Sequence, residues 1–396
     1  MEPLPLARRM EVLGTETAFE VLVKAKNLEA QGKHVIHLEI GEPDFDTPEH
    51  IKEAAIKALR EGYTHYTPAA GLPQAREAIA EYISRTRGIP VDPSEVVITP
   101  GAKPIMFFTI LALVESGDEV IYPNPGFPIY ESMIRFVGGT PVPLLLREEN
   151  DFRVDPEELR RLVGPRTKLL ILNSPHNPCG SVLTRKDVEA IAEIASHHRF
   201  FILSDEIYSR IIYDAEHVSI ASLPGMKERT IILDGFSKTY AMTGWRLGYG
   251  VMRQDLAARI AQLMVNSLSC TAAFTQIAGI TALRGPQDCV AEMVAEFRRR
   301  RDVIVEGLNR IAGITCRLPG GAFYAFPNVK AIDSDTNRFS DYLLTEAGVA
   351  CLSGTAFGEY GRGYIRLSYA NSIENIQEAL RRIEEAVRTY RARIKV

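Results

Sequence analysis

The chain has 396 residues, 46% of them apolar and 24% charged, with a formal net charge of −4. That length is too great for one compact core, so two domains are expected, and the near-balanced charge gives no electrostatic reason for nucleic acid or an anionic membrane as partner. Cys179, Cys270, Cys289, Cys316 and Cys351 are scattered without a C-x-x-C pair or zinc spacing, so neither a disulfide framework nor a metal site is expected. The first residues lack the apolar core of a signal peptide, and no apolar run reaches the ~20 residues of a membrane span. A reducing cytoplasm is the expected compartment.

In chain order, an apolar run at 35–40 reads as a strand, and Thr47-Pro48-Glu49 as a helix start with Thr as N-cap and Pro at the first helical position. Helical period then covers 72–87, 104–115, 184–198 and 254–268, while short apolar runs at 96–99, 119–122, 169–173, 200–205, 231–236 and 247–252 read as buried strands. Strands of this kind separated by helices imply a mostly parallel sheet covered on both faces, an α/β domain over residues 48–290. An Arg/Glu-rich helix from 287 to about 311 leads to strands at 322–326 and 364–369 and a closing helix at 373–390. These belong to a smaller α+β domain, expected to comprise residues 1–47 and 291–396. The arginines at 298–301 and 381–382 read as solvated helix faces.

In open parallel sheets, ligands bind beyond the carboxyl ends of the strands. Four expected strands end on chemically capable residues: Gly101-Ala102-Lys103, Asn173 with Asn177, Asp205, and Ser237-Lys238. Lysines are ordinarily solvated cations. Lys238, however, follows a β-run among aromatic and small residues, and burial of that kind lowers an ammonium's pKa as a covalent carbonyl-binding lysine requires. Ser237 and Arg246 offer a hydroxyl and a planar cation suited to one phosphate. Asp205 alone could be a cap residue, yet a pyridine ring used as an electron sink needs a carboxylate of this type at its nitrogen. Tyr208 follows one turn later if the chain there becomes helical. Gly101 before Pro104 has the form of a helix-start phosphate seat. Asn173-Ser-Pro-His-Asn177-Pro reads either as turn chemistry or as an amide donor to a phenolate.

Taken as a set, these segments resemble the class I/II aminotransferases of pyridoxal-phosphate (PLP) fold type I, the aspartate aminotransferase family in its prokaryotic branch. The resemblance runs from Gly41-Glu-Pro-Asp-Phe-Asp-Thr-Pro48 through Tyr66-Thr-Pro-Ala-Ala-Gly71 and Asn177-Pro-Cys-Gly180 to Ser237-Lys238…Gly244-Trp-Arg246 and Gly363-Tyr-Ile-Arg366. It implies a three-layer α/β/α large domain, PLP as cofactor, and ping-pong transfer of an amino group from an L-amino acid to a 2-oxo acid. By resemblance, Lys238 binds the cofactor covalently and carries the substrate's α-proton, and Asp205 pairs with the pyridinium. Tyr208 and Asn177 hold the ring oxygen, and Phe127 stacks on the ring. Gly101, Ala102, Ser237 and Arg246 seat the phosphate. Tyr66 reaches the partner subunit's phosphate in a homodimer, and Arg366 with the Gly41 backbone grips the α-carboxylate. Phe127 stands where Trp or Tyr is common, Cys179 replaces a Thr, and Gly235 lacks a hydroxyl some members carry. Lys103 matches a lysine that binds a distal carboxylate in one branch, but it equally suits a solvent-facing helix start.

A β-eliminating C–S lyase could present the same cofactor residues. A nicotinamide dehydrogenase is disfavoured because no G-x-G-x-x-G follows an expected strand. A PLP-binding regulator module is disfavoured because the 47 residues before the large domain are too few and too acidic to bind DNA.

Overall fold

A computed structural model describes residues 4–394. Its centre is a seven-stranded sheet in the spatial order Val96–Thr99, Gly248–Val251, Thr230–Gly235, Phe201–Asp205, Thr167–Asn173, Glu119–Asn124, Thr140–Leu145. Gly248–Val251 runs antiparallel to both neighbours, and the other six strands are mutually parallel. Consecutive residues of the inner strands enter different cores: Leu169 and Ile171 pack on one face, Leu170 and Leu172 on the other. That two-sided burial is why these strands read as unbroken apolar runs. Helices Lys103–Leu113, Ile129–Phe136 and Gln254–Ser267 contribute to the first core, and Arg185–Ser196 to the second.

Thr140–Leu145 was not expected as a strand. Pro141 and Pro143 interrupt its pattern, and they are accommodated because this is an edge strand, paired among the described residues only with Glu119–Asn124. The expected run at 35–40 contributes only Ile36–His37, which pairs in parallel with Val349–Ala350 outside the large sheet. Thr47 does not cap the following helix. Its hydroxyl donates to the Ala241 carbonyl at 2.6 Å and accepts from Trp245 Nε1 at 2.9 Å, which leaves Pro48 at the N-cap position of Glu49–Arg60. Thr184, by contrast, caps Arg185–Ser196 through a reciprocal box with Asp187.

Beyond helix Asp288–Arg310, a three-stranded antiparallel sheet forms from Leu352–Ser353, Ile365–Ser368 and Tyr324–Ala325, and helix Ile373–Ile394 closes the chain. The first 47 residues touch both regions. Ile36–His37 joins the C-terminal part, whereas the Gly14 N–H donates to Ser132 Oγ at 2.8 Å and Arg9 lies over the Phe136 ring beside the large sheet. Among the described residues no helix is long and apolar enough to cross a membrane.

Candidate active site

The carboxyl ends of the parallel strands, the N-terminal segment and the small sheet enclose a cavity of about 580 Å³. Of the residues singled out in sequence, Gly41, Ala102, Lys103, Phe127, Asn177, Asp205, Tyr208, Ser237, Lys238, Arg246 and Arg366 line it. Gly101 lies against Arg246 at its edge. Tyr66 is not brought there, standing 90% exposed on the surface.

Lys238 follows strand Thr230–Gly235, and its Nζ donates to the Gly41 carbonyl at 2.5 Å. The residue keeps some surface toward the cavity, but its amine is enclosed. Burial pulls the pKa down to about 8, with Arg366 and Arg246 acting in the same direction and Glu42 and Glu16 opposing. Asp205, the last residue of its strand, is buried. Burial pushes its carboxyl up to about 6, while the hydrogen bonds it accepts from Tyr130 Oη (2.5 Å) and the Ile207 N–H (3.3 Å) favour the ionised form.

The chain after Asp205 forms a tight turn rather than the helix considered for Tyr208, with the Ser209 N–H donating to the Glu206 carbonyl at 2.8 Å. Tyr208 still faces the cavity, with its hydroxyl 2.6 Å from that of Tyr324. Tyr324 was missed in sequence, where it is one residue of a short strand. Its ring lies 4.4 Å from the Arg366 guanidinium, and its hydroxyl fills the space that any side chain at Gly41 would need, 2.2 Å from an added Cβ. Tyr130 was also missed, although it lies one helical turn beyond Phe127 and packs edge-on against it at 5.6 Å.

The Gly101 turn is a cradle. Gly101 has φ +85°, and an added Cβ would fall 2.2 Å from Arg246 Nη2. Arg246 itself sits at φ 51°, a left-handed conformation unusual for a long side chain, with Nη1 donating to the Thr243 carbonyl at 2.8 Å. Helix Lys103–Leu113 begins beside them without a side-chain cap on its first turn.

Arg366 is buried by the small sheet. Nη1 donates to Asn177 Oδ1 at 3.0 Å and Nη2 to the Glu39 carbonyl at 2.5 Å, but Nε is buried without a hydrogen-bond partner. An unspent donor beside two committed ones suits a carboxylate. Asn177 Oδ1 accepts from Arg366, so the amide nitrogen is the end left to donate. Lys103 makes an ion pair with Glu16, a residue that sequence reasoning passed over.

The class I and II aminotransferase family model matches residues 33–383. An aspartate aminotransferase of Pyrococcus abyssi is 44% identical over 369 residues, 92% of this chain and 95% of the relative. Aromatic-amino-acid aminotransferase 2 of Thermococcus litoralis is 40% identical, covering 97% of this chain and 99% of its own. The solved structure of Thermus thermophilus aspartate aminotransferase with maleate matches at TM-score 0.92 and 40% identity, over 97% of this chain and 100% of that one. These likenesses favour transamination over the C–S lyase alternative. With family similarity over nearly the whole length and the expected residues gathered at one sheet edge, the chain belongs to the class I and II aminotransferases and is an aspartate aminotransferase-like transaminase.

Proposed function

We propose that this transaminase works with PLP, held covalently by Lys238, and carries an amino group from an L-amino acid to a 2-oxo acid in two half-reactions. The observation that carries this reading is one enclosed amine, Lys238 Nζ, sharing a cavity with a buried carboxylate, Asp205, and with the Gly101–Arg246 cradle. The residues fit the cofactor. Gly101, Ala102, Ser237 and Arg246 would take the phosphate, Asp205 the ring nitrogen, Tyr208 and Asn177 the ring oxygen, and Phe127 the ring face. Bound PLP supplies an aldehyde for amines and a protonated ring that draws electron density from the substrate's α-carbon.

The chain's own groups do the rest. Lys238 would hold the cofactor and, as a free amine, would be the base that removes the proton from the substrate's α-carbon. A pKa near 8 leaves part of that amine unprotonated at neutral pH, and a positioned base of this kind contributes ~10²–10⁴ in rate. Arg366 would hold the α-carboxylate with its guanidinium at the cavity wall. Asp205 would accept the ring N–H, and Tyr130 and the Ile207 N–H keep its carboxylate oriented. The second half-reaction reverses these steps with a 2-oxo acid.

The same reading makes residues 48–290 the cofactor-binding domain and 1–47 with 291–396 the smaller one. It makes the active unit a homodimer, in which the exposed Tyr66 reaches the partner's phosphate site. The outward-facing Leu4 and Leu6, 90% and 80% exposed, support such a covered surface. Five free thiols support a reducing compartment such as the cytoplasm.

Borohydride reduction of the holoprotein followed by peptide mapping tests the central claim. The label is expected on the Lys238 peptide, and Lys238→Ala should lose both the label and nearly all turnover. Labelling of another lysine, or an alanine variant that transaminates at a comparable rate, ends the proposal.

A further inference from the structure

We infer that Glu16 neutralises Lys103 and so turns the side-chain pocket away from acidic amino acids toward neutral apolar or aromatic ones. This deepens the transaminase reading and rests on it. Glu16 stands at the N-cap position of helix Thr17–Ala30, yet its carboxylate makes no capping bond and is committed instead to Lys103 Nζ. Lys103 is in turn held 5.5 Å from the centre of the Phe127 ring, in the cavity that Arg366 also lines.

A charge inventory of the cavity gives this pair its consequence. Among the described residues four cations line it: Lys103, Lys238, Arg246 and Arg366. Lys238 serves the cofactor aldehyde, Arg246 the phosphate and Arg366 the α-carboxylate, which leaves Lys103 for a charged side chain. Glu16 already occupies it. A second carboxylate, Glu42, lines the same cavity and accepts a hydrogen bond from the Thr243 hydroxyl. An incoming carboxylate must therefore displace Glu16 from Lys103 and lie near its like charge, a repulsion that strengthens as water leaves the site.

The rest of the cavity lining includes Phe19, Leu352, Ala356 and Phe357, which offer apolar contact instead. The pair is not a stability device. The Lys103 side chain is 48% exposed, and ion pairs at that exposure contribute little to folding.

The test compares half-reactions of the holoenzyme with aspartate, glutamate, phenylalanine and leucine, followed by loss of the cofactor's visible absorbance. Dissociation constants for maleate and 3-phenylpropionate are measured alongside. The parent enzyme is expected to favour phenylalanine or leucine over aspartate by at least tenfold in kcat/KM. In Glu16→Gln and Glu16→Ser the ratio of aspartate to phenylalanine should rise at least tenfold and maleate should bind at least tenfold tighter. Adding Lys103→Met to Glu16→Gln should abolish both gains. A parent enzyme that prefers aspartate, or gains below tenfold in both Glu16 variants, overturns the inference. If no amino acid discharges the chromophore, the transaminase reading fails on its own, and the maleate comparison still decides the role of Glu16.

Discussion

Asp205 and Glu206 are sequence neighbours with the same functional group, and they lead opposite lives. Successive residues at a strand end leave on different sides. Asp205 turns into the cavity, where it meets Tyr130 and one backbone N–H. Glu206 turns into a sealed polar cluster. There it accepts from Arg87 Nε at 2.7 Å, Ser219 Oγ at 2.6 Å and Ser204 Oγ at 2.9 Å, and lies 3.0 Å from His217 Nε2. Arg87 also donates to Asp234 and Ser209, both at 2.8 Å. Burial works against the charge on Glu206, but His217 and Arg87 outweigh it and hold the carboxyl far below the usual range. At Asp205 burial wins and the carboxyl rises to about 6. Burial also wins at Asp234 inside the sealed cluster, whose carboxyl rises to about 6 despite Arg87, so what sets Asp205 apart is that it faces the cavity.

The largest effect that could break this contrast is in the sealed cluster. Arg87→Leu strands Glu206 and Asp234 and should cost about 3–5 kcal/mol of unfolding free energy, read by denaturant titration. Stability within 1 kcal/mol of the parent, roughly the effect of an ordinary surface change, would show that the cluster is not held by its arginine.

On the cavity side the sign should invert. In the apoprotein the folded state releases the Lys238 proton near pH 8, whereas the unfolded chain keeps it to about 10.5. The unfolded state therefore binds more protons in that window, and wild-type stability rises with pH across it. Apo Lys238→Leu should be more stable than wild type by about 2–3 kcal/mol at pH 7, with the gap closing between pH 8 and 10.5. A variant that loses stability at pH 7 would mean the amine is as well satisfied as Arg87.

The smallest effect sharpens the role of Tyr130. Tyr130→Phe removes the hydroxyl donor to Asp205, so in the apoprotein its carboxyl should rise further, and in the holoenzyme the acid limb of the kcat/KM profile should move up. We expect roughly a tenfold loss in kcat/KM near pH 7, about 1.4 kcal/mol. An unshifted acid limb would show that Tyr130 merely fills space.

The comparison also separates what local sequence carries from what it does not. Lys238, Asp205, Gly101 and Asn177 could be singled out because each follows an apolar strand-forming run, and in a parallel sheet all such ends fall on one edge. Glu206 could not be told from Asp205 by any local signal. Nor could Thr140–Leu145 be read as a strand, because its prolines are tolerable only at an edge and edge position depends on neighbours.

Local period and strand-end chemistry thus determined the α/β architecture and the residues at the sheet's carboxyl edge, because burial pattern and turn chemistry act over a few residues. Tertiary structure alone decided the pairings that give those residues their environment: Tyr324 with Tyr208, Arg366 with Glu39, Lys103 with Glu16. These partners lie 116, 327 and 87 residues apart. No periodicity spans such separations, and only the packing of the N-terminal segment and the small sheet against the large one brings them within reach.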